Sequence, residues 1–348
     1  MIPVRNVYYM LSYAYKVLNE QGYKSIATEQ FHNVADLCSA ILVKGVSIQL
    51  KRGLHRAYIP QTESLSSPRG RIGISESIKD LTMLKGQLIC TYDEFSVDSY
   101  MNRILKTTMN YLLKAKIDSD RKKALRKLLV YFQDVETLDI HMINWQMQFD
   151  RNSQSYRMLI AICFLVLKGL LQTQSDGSLK IVDFLDEQHM HRLYEKFILE
   201  YYRKEFPYIS ADASQISWQL DDGFSDMLPI MQTDIMLNYE ERVLIIDAKY
   251  YSHSLQSQYD RMTAYSSNLY QIFTYVKNKE EAMRNKAHEK VAGMLLYAQT
   301  EEEGGFEKNY SMSGNPISIK TLDLSRDFDS IRTQLDGIAK KYLLGESL

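Results

Sequence analysis

Apolar residues recur at helical spacing in several stretches of the first half of the chain. The spacing predicts helices over about 4–18, 31–46, 98–116 and 155–171. Between the second and the third of these, turn glycines interrupt short runs that alternate as strands do. The N-terminal region is therefore predicted to be a mixed α+β domain.

From about residue 187 the pattern becomes a regular succession of helices and strands. Because helices with one apolar side cover the faces of a sheet, this order predicts an α/β fold with a mixed sheet flanked by helices. At 348 residues the chain exceeds the usual size of one domain, and we place two domains at 1–150 and 151–348. The predicted elements are a helix over 187–205, strands over 217–220, 233–239 and 242–250, a helix over 266–283, strands over 291–298 and 317–324, and a helix ending near 343.

Composition is that of an ordinary globular protein. Hydrophobic residues make up 45% and charged residues 24%, while Gly (15) and Pro (6) are scarce, so we expect no long flexible linkers. Three separated cysteines without a CxxC pair argue against zinc and disulfides. The start lacks a signal-peptide layout, and the most apolar run, 158–167, is too short to span a membrane. A cytoplasmic protein without membrane association is expected.

Charge is distributed unevenly although the net charge is only -1. Residues 1–150 contain 20 Lys+Arg against 15 Asp+Glu, and residues 151–348 contain 22 against 28. The excess in the first half indicates either an anionic partner or an ordinary solvated surface. Arg69 and Arg71, on either side of Gly70, are the candidates for contact with a partner protein or DNA, because an arginine on a turn can reach a neighbouring molecule.

Two apolar strands near residue 240 each include a carboxylate. If Glu240 and Glu241 form a two-residue hairpin loop, the positions of directly paired residues sum to 481, so Asp234 faces Asp247. Lys249 is two residues beyond Asp247 and projects from the same face. The loop is not a favoured hairpin dipeptide, and this register is an inference from spacing.

Such a triplet fits metal-assisted phosphodiester hydrolysis. Facing carboxylates repel unless a cation lies between them, and Mg²⁺ takes one or two carboxylates with water and phosphate oxygens. Asp234 and Asp247, with the Ala248 carbonyl as a further ligand, would hold Mg²⁺, while Lys249 orients or activates the attacking water. An isolated DxK is more often an ion pair at a strand end, so further features are needed.

Two helices supply those features. Glu195 lies at the border of the apolar side of the preceding helix. In the following helix, Gln271 and Tyr275 have i, i+4 spacing and share a face. His189 and His191 do not indicate zinc, because an HxH pair on a helix points its rings about 200° apart.

These features, in this order, resemble the PD-(D/E)xK nuclease superfamily, a restriction-endonuclease-like fold, over roughly 185–300. The resemblance implies that Asp234 and Asp247 bind metal and that Lys249 acts on the nucleophilic water. It also implies that Glu195 assists them and that the QxxxY helix borders the site. The expected activity is that of a Mg²⁺-dependent endodeoxyribonuclease.

One position departs from the superfamily's pattern. The first acid of the hairpin is often preceded by proline, whereas here Thr233 takes that place and Pro229 lies earlier. The superfamily tolerates this departure widely.

A narrower resemblance covers the whole chain. IPVRNVYYMLSYAY at the start, SPRGRI, NRILKTTM, LPIMQTDI, IDAKYY and NLYQ are similar to the McrC family, the nuclease subunits of McrBC modification-dependent restriction systems. The resemblance implies an antiphage type IV subunit that cuts double-stranded DNA containing modified cytosine. Its N-terminal region would dock on a McrB-like AAA+ GTPase and stimulate it. The chain has no GxxxxGK[ST] loop, so nucleotide hydrolysis would come from that partner.

Two alternatives stay open. The chain could be a self-sufficient PD-(D/E)xK nuclease of DNA repair, or it could be chiefly a docking subunit that activates the GTPase, with cleavage secondary.

Overall fold

A computed structural model describes residues 2–19, 23–150, 153–173, 179–181, 187–223, 226–250, 256–258, 261–263, 265–284, 290–299 and 305–345. The chain forms two compact units. One consists of Met1–Ala27 together with Leu185–Leu348, and the other of Thr28–Phe184.

Helices are found in both units. Among the described residues, no helix has the length and apolarity needed to span a membrane. The α-helices are α1 (Val4–Ala14), α2 (Val34–Arg52), α3 (Ile74–Lys79), α4 (Tyr100–Lys114), α5 (Ser119–Leu129), α6 (Gln154–Phe164), α7 (Glu187–Glu205), α8 (Ser266–Ala282) and α9 (Phe328–Ala339). Short 3₁₀ turns span Lys16–Asn19, Lys24–Thr28, Thr82–Lys85, Val130–Phe132 and Ile140–Met142, and π-helical segments Leu165–Leu170 and Lys340–Leu344.

The strands form one large sheet and several small ones. They are β1 (Ala57–Leu65), β2 (Arg71–Gly73), β3 (Leu88–Ser96), β4 (Leu171–Thr173), β5 (Leu179–Ile181), β6 (Ser210–Asp212), β7 (Gln215–Ile216), β8 (Met231–Gln232), β9 (Ile235–Tyr239), β10 (Arg242–Lys249), β11 (Gln256–Gln258), β12 (Arg261–Thr263), β13 (Lys290–Ala298), β14 (Glu307–Met312) and β15 (Asn315–Leu322).

The unit Thr28–Phe184 has a helical core and one three-stranded antiparallel sheet. Helices α2, α4, α5 and α6 pack together, and the hydroxyl of buried Tyr156 in α6 lies 2.9 Å from Asn102 Oδ1 in α4. The sheet has the strand order β1-β3-β2, and its first strand has no fully buried residue. The predicted mixture of helices and strands is confirmed in this unit.

The other unit contains a six-stranded mixed sheet in the order β14-β15-β13-β10-β9-β6. Strands β10, β13 and β15 are parallel to one another, and β9 is antiparallel to β10. Helix α8 packs on β13 and β10, α7 on β10 and β9, and α9 on β15. The predicted α/β class, a mixed sheet flanked by helices, is therefore confirmed.

The predicted domain boundary after residue 150 differs from the structure. Helix α6 packs on α2 and α4, so the N-terminal unit continues to Phe184. Helix α1 packs on α7, and buried Asn6 donates two hydrogen bonds of 2.7 Å, to the carbonyls of Leu324 and Arg326. Apolar spacing reveals that a helix buries a face but not which element covers that face. The sequence therefore could not predict that α6 belongs to the N-terminal unit and α1 to the C-terminal one.

The predicted strand over 217–220 is wrong. The strand ends at Ile216, and the Gln219 N–H donates to Asn278 Oδ1 at 2.8 Å rather than to another strand. Trp218 donates its indole N–H to the Pro229 carbonyl at 2.7 Å. The apolar residues of this segment therefore cover the edge of the core as an irregular chain.

Strand β14 was not predicted. Five of its six residues are exposed, so it lacks the alternation that marks a half-buried strand. It pairs with β15 through a turn at Ser313 and Gly314, whose φ values are 50° and 91°. Both values lie in the left-handed region that a tight hairpin of this kind requires.

Candidate active site

The β9–β10 hairpin has the register that the sequence predicts. Its cross-strand pairs run from Tyr239 with Arg242 to Ile235 with Ile246. Glu240 adopts a φ of 50° in the two-residue turn, although it is not a residue that favours this conformation. The turn thus fixes which side chains face each other at the far end of the hairpin.

Asp234 lies one residue before β9 and one position beyond the last cross-strand pair, so continuing this register places it opposite Asp247. Its Oδ2 accepts a hydrogen bond of 2.9 Å from the Ala248 N–H. The first predicted acid is therefore a neighbour of the Ala248 main chain, whose carbonyl is the predicted further ligand.

Thr233 fixes the chain just before this acid. Its N–H and its hydroxyl donate to the Ser214 carbonyl at 3.0 and 2.9 Å, and its hydroxyl accepts from the Ser214 N–H at 3.1 Å. A proline at this position would have no N–H to donate. The residue that departs from the superfamily's pattern thus holds the strand entry by hydrogen bonds.

Gln271 and Tyr275 reach the same segment from α8. Gln271 Nε2 donates to the Tyr275 hydroxyl at 2.9 Å, and that hydroxyl donates to the Gln232 carbonyl at 3.0 Å. Tyr275 is 7% exposed. The QxxxY pair therefore positions the main chain two residues before Asp234.

Asp247 and Lys249 lie at the end of β10 and are buried, with 2% and 8% of their surfaces exposed. Lys249 Nζ is 2.8 Å from Asp247 Oδ1. Burial raises the pKa of Asp247 above its usual range, the Lys249 ammonium opposes that rise, and the Asp234 carboxylate adds to it. The single positive charge of Lys249 thus only partly compensates the negative charges of Asp234 and Asp247.

The second carboxylate oxygen of Asp247 is unsatisfied. Oδ2 is buried and accepts no hydrogen bond from the part of the chain that the structure describes. An unsatisfied buried oxygen costs free energy, and a bound cation would remove that cost.

The oxygen atoms present fit Mg²⁺. Asp234, Asp247 and the Ala248 carbonyl are hard oxygen ligands, of the kind that this ion takes. Within the described ranges, no three His, Cys, Asp or Glu side chains form a complete metal cluster. The remaining positions would fall to water and phosphate, which is the usual arrangement for Mg²⁺.

Glu195 approaches the cluster from α7. Burial raises its pKa to about 7, Asp234 adds to the rise, and Lys249 and Arg192 oppose it. The predicted position at the border of the apolar side is confirmed, since 29% of its side chain is exposed beside buried Tyr194. Four of the predicted site residues, Glu195, Asp234, Asp247 and Lys249, therefore interact with one another.

His191 is a neighbour of the site that the sequence interpretation set aside. Its Nε2 lies 3.1 Å from Glu195 Oε1, one helical turn away. The i, i+4 spacing of His191 and Glu195 could have revealed this contact, whereas the HxH spacing considered for zinc could not.

Arg69 and Arg71 lie in the other unit and are exposed. The Arg69 guanidinium lies 4.3 Å from the centre of the Tyr92 ring. Gly70 between them has a φ of 71°, and a Cβ there would lie within 3 Å of the Thr91 and Tyr92 main chain. Only glycine fits this turn, which leaves both arginines on the surface.

The unit is an α/β domain in which a six-stranded mixed sheet is flanked by helices and two acids lie at the end of one hairpin. The chain belongs to the family of McrBC 5-methylcytosine restriction system components, whose family model matches residues 4–298.

Individual relatives agree with this membership. The chain is 29% identical over 349 residues to the type IV methyl-directed restriction enzyme EcoKMcrBC of Escherichia coli K12, covering 99% of each protein. A solved assembly of Thermococcus gammatolerans McrB AAA+ hexamers with bound McrC has a similar fold, with 18% identity and a TM-score of 0.50. That match covers 97% of this chain and 76% of the other.

Proposed function

We propose that this chain is the endonuclease subunit of a methylation-dependent, type IV restriction complex. It would hydrolyse phosphodiester bonds of double-stranded DNA with Mg²⁺ and stimulate a McrB-like AAA+ GTPase. The observation that supports cleavage most directly is the buried acid pair Asp234 and Asp247, with Lys249 in contact and one Asp247 oxygen unsatisfied. Family membership supports the restriction system, and the E. coli relative supports the methyl-directed specificity.

The residues of the site have separate tasks. Asp234, Asp247 and the Ala248 carbonyl would hold Mg²⁺, which supplies Lewis-acid stabilisation of the charge that builds on phosphorus. The Lys249 ammonium, held 2.8 Å from Asp247, orients the attacking water and stabilises developing negative charge. Glu195, whose pKa is raised by burial and by the Asp234 carboxylate, assists at the same edge.

Partner docking is supported by the three-stranded sheet β1-β3-β2 and by α3. Large apolar side chains are exposed there, and exposed patches of this kind mark protein interaction sites. Together with Arg69 and Arg71 they form a candidate surface for the GTPase, in keeping with the neighbouring structure of McrB hexamers with bound McrC. The exposed apolar residues are Tyr58, Ile72, Ile74, Ile78, Leu81, Met83, Leu84 and Phe95.

Two active-site variants test the nuclease proposal. Asp234→Asn and Lys249→Ala should abolish cleavage of duplex DNA containing modified cytosine, in the presence of the GTPase partner, GTP and Mg²⁺. Glu241→Gln, an exposed acid in the same hairpin, is the matched control and should cut normally. Undiminished cutting by Asp234→Asn would contradict the assignment.

The alternatives give different results in the same assay. Under the proposal, the nuclease-inactive variants keep the ability to stimulate GTP hydrolysis, and Arg69→Ala with Arg71→Ala loses it. Cleavage by the purified chain with Mg²⁺ alone would instead favour a self-sufficient nuclease. Stimulation of the GTPase with no cleavage under any condition would favour a subunit that only activates its partner.

A further inference from the structure

Helix α5 separates its side chains into two opposite faces. Leu125 and Leu128 are buried, and the Arg121 side chain on the same side is only 16% exposed. At about 100° per residue, four cationic side chains fall within an arc of about 140° on the other side. They are Lys122, Lys123, Arg126 and Lys127.

The inner face anchors the helix through a buried acid. Asp36, which is fully buried, accepts hydrogen bonds from Arg121 Nη1 at 2.6 Å and from the Asp118 N–H at 3.0 Å. Asp118 in turn caps the helix by accepting from the N–H groups of Asp120 and Arg121. This anchoring fixes the orientation of α5, so the outer cations present a preorganised surface.

The outer face keeps most of its charge unpaired. Lys123 is paired with Asp120 at 2.9 Å, and both side chains are largely exposed. Within the described part of the chain, no carboxylate forms a salt bridge with Lys122, Arg126 or Lys127. The unit Thr28–Phe184 as a whole contains 21 Lys+Arg against 16 Asp+Glu, so its surroundings do not cancel the charge.

We infer that the outer face of α5 binds phosphates of double-stranded DNA. The choice of DNA as the anion rests on the proposed function. From Lys122 to Lys127 the helix rises about 7.5 Å, while successive phosphates of one strand are about 3.4 Å apart along the duplex axis, so about two phosphates are within reach. Contacts of these lysine and arginine side chains with phosphate are independent of base sequence, so the binding inferred for this face is too.

A protein partner fits this face less well. The centres of protein interfaces are depleted in lysine, and this face is mostly lysine with no exposed aromatic or leucine residue between its cations. Phosphate contact requires only the charge and its geometry.

The test is a binding titration of the full-length chain in EDTA with an unmodified 30-base-pair duplex, followed by fluorescence anisotropy between 50 and 200 mM salt. The slope of log K against log salt is negative, and each lost phosphate contact reduces its magnitude by about 0.9. Arg126→Gln with Lys127→Gln should therefore reduce the magnitude of the slope by about 1.8 and weaken binding at least tenfold near 0.1 M salt. Arg126→Lys with Lys127→Arg keeps the charge and should restore binding.

Lys51→Gln with Arg52→Gln is the matched control, because it removes the same charge from exposed positions at the end of α2. An equal loss of DNA affinity in the two double variants would overturn the inference, since the lower net charge alone would then explain both losses. Unchanged DNA binding of the α5 variant would also overturn the inference, whether or not that variant loses binding to the GTPase partner. So would a wild-type chain whose DNA binding does not depend on salt concentration. Because no cleavage is measured, failure here is separate from failure of the proposed nuclease.

Discussion

Asp247 and Lys249 occupy positions that would otherwise be apolar in a buried strand. The residues before Asp247 on the same face, Val243 and Ile245, belong to the apolar core with α8. Burying a carboxylate beside a second one destabilises the fold unless a cation compensates it. Lys249 compensates part of this charge, and the unsatisfied Oδ2 of Asp247 shows where the compensation is incomplete.

Metal binding should therefore stabilise the protein. An ion that binds only the folded state stabilises it by about 2.7 kcal/mol at a concentration 100 times its dissociation constant. We expect the melting temperature of the wild-type chain to rise by several degrees when EDTA is replaced by Mg²⁺ or Mn²⁺, and Asp234→Asn to lose this rise. In a Trp145→Phe background, Trp218 fluorescence reports on the unit that contains the site.

Asp234→Asn should also be at least as stable as the wild type in EDTA. The change removes one of three neighbouring carboxylates, while its amide oxygen can still accept from the Ala248 N–H. Glu241→Gln, the control, should keep the metal-dependent rise in melting temperature. A rise in Asp234→Asn equal to that of the wild type would argue against Asp234 as a ligand.

At the scale of elements, Gly293 in β13 is where α8 comes closest to the sheet. A Cβ there would lie 2.8 Å from Val276 Cγ2 and 2.9 Å from Ile272 Cγ1. Gly293→Ala should lower the free energy of unfolding by about 1–3 kcal/mol because the packed core must shift. Chemical denaturation of this variant, of Val276→Ala and of the double variant measures the effect.

The double variant distinguishes crowding from backbone effects. Val276→Ala removes the nearest clashing methyl, so the added Cβ would occupy the space it leaves. The decreases in the free energy of unfolding of the two single variants should therefore add up to about 1 kcal/mol more than the decrease in the double variant. Simple additivity would mean that crowding against Val276 is not the cause, since Ile272 Cγ1 and Ile317 Cδ1, each 2.9 Å from the added Cβ, stay in place.

Glu307 joins three elements of the same unit by ion pairs. Its carboxylate lies 2.9 Å from Lys341 Nζ, after α9, and 3.3 Å from Lys320 Nζ in β15. Its pKa is lowered to about 2, first by the Lys341 hydrogen bond and then by Lys320, against the effect of burial. A lowered pKa means that this stabilisation is complete above the unfolded value, near 4.3, and disappears as pH falls towards 2.

Glu307→Gln should accordingly destabilise the protein at pH 7 by about 0.5–1 kcal/mol, a value kept small because the side chain is 39% exposed. The difference from the wild type should shrink in urea titrations as pH falls from 5 towards 3. Glu281→Gln breaks an exposed pair with Arg284 and should have a smaller effect at every pH. A difference that is constant with pH would exclude the ion pairs as its origin.

Local patterns predicted the central elements of the site because a two-residue turn fixes register. The pairing of Asp234 with Asp247 follows from counting residues on each side of Glu240 and Glu241, and the structure agrees up to Ile235 with Ile246. The contacts of Thr233 with Ser214 and of His191 with Glu195 were not predicted, because hydrogen-bond partners depend on tertiary packing rather than on apolar spacing.

At the scale of the whole chain, the order along the sequence does not match the division into units. The opening helix belongs to the unit formed by Leu185–Leu348. Tyr9 stacks on Phe328 at 4.3 Å, and the Tyr13 hydroxyl donates to Glu205 at 2.8 Å. Burial raises the pKa of Tyr13, and the Glu205 carboxylate raises it further, so the phenol stays protonated and available as a donor.

Deletion of residues 1–27 should therefore disrupt the unit that contains the candidate site rather than remove a separate docking segment. Without α1, Phe197 and Phe328 lose aromatic partners, and the Leu324 carbonyl loses its hydrogen bond from Asn6. We expect the shortened chain to lose the cooperative transition of Trp218 and to become sensitive to limited proteolysis within 185–348. Asn6→Ala, the milder test, should cost about 1–3 kcal/mol because two carbonyls lose their donor. A shortened chain that unfolds as cooperatively as the full-length protein would mean that α1 only rests on the unit and is not part of its cooperative core.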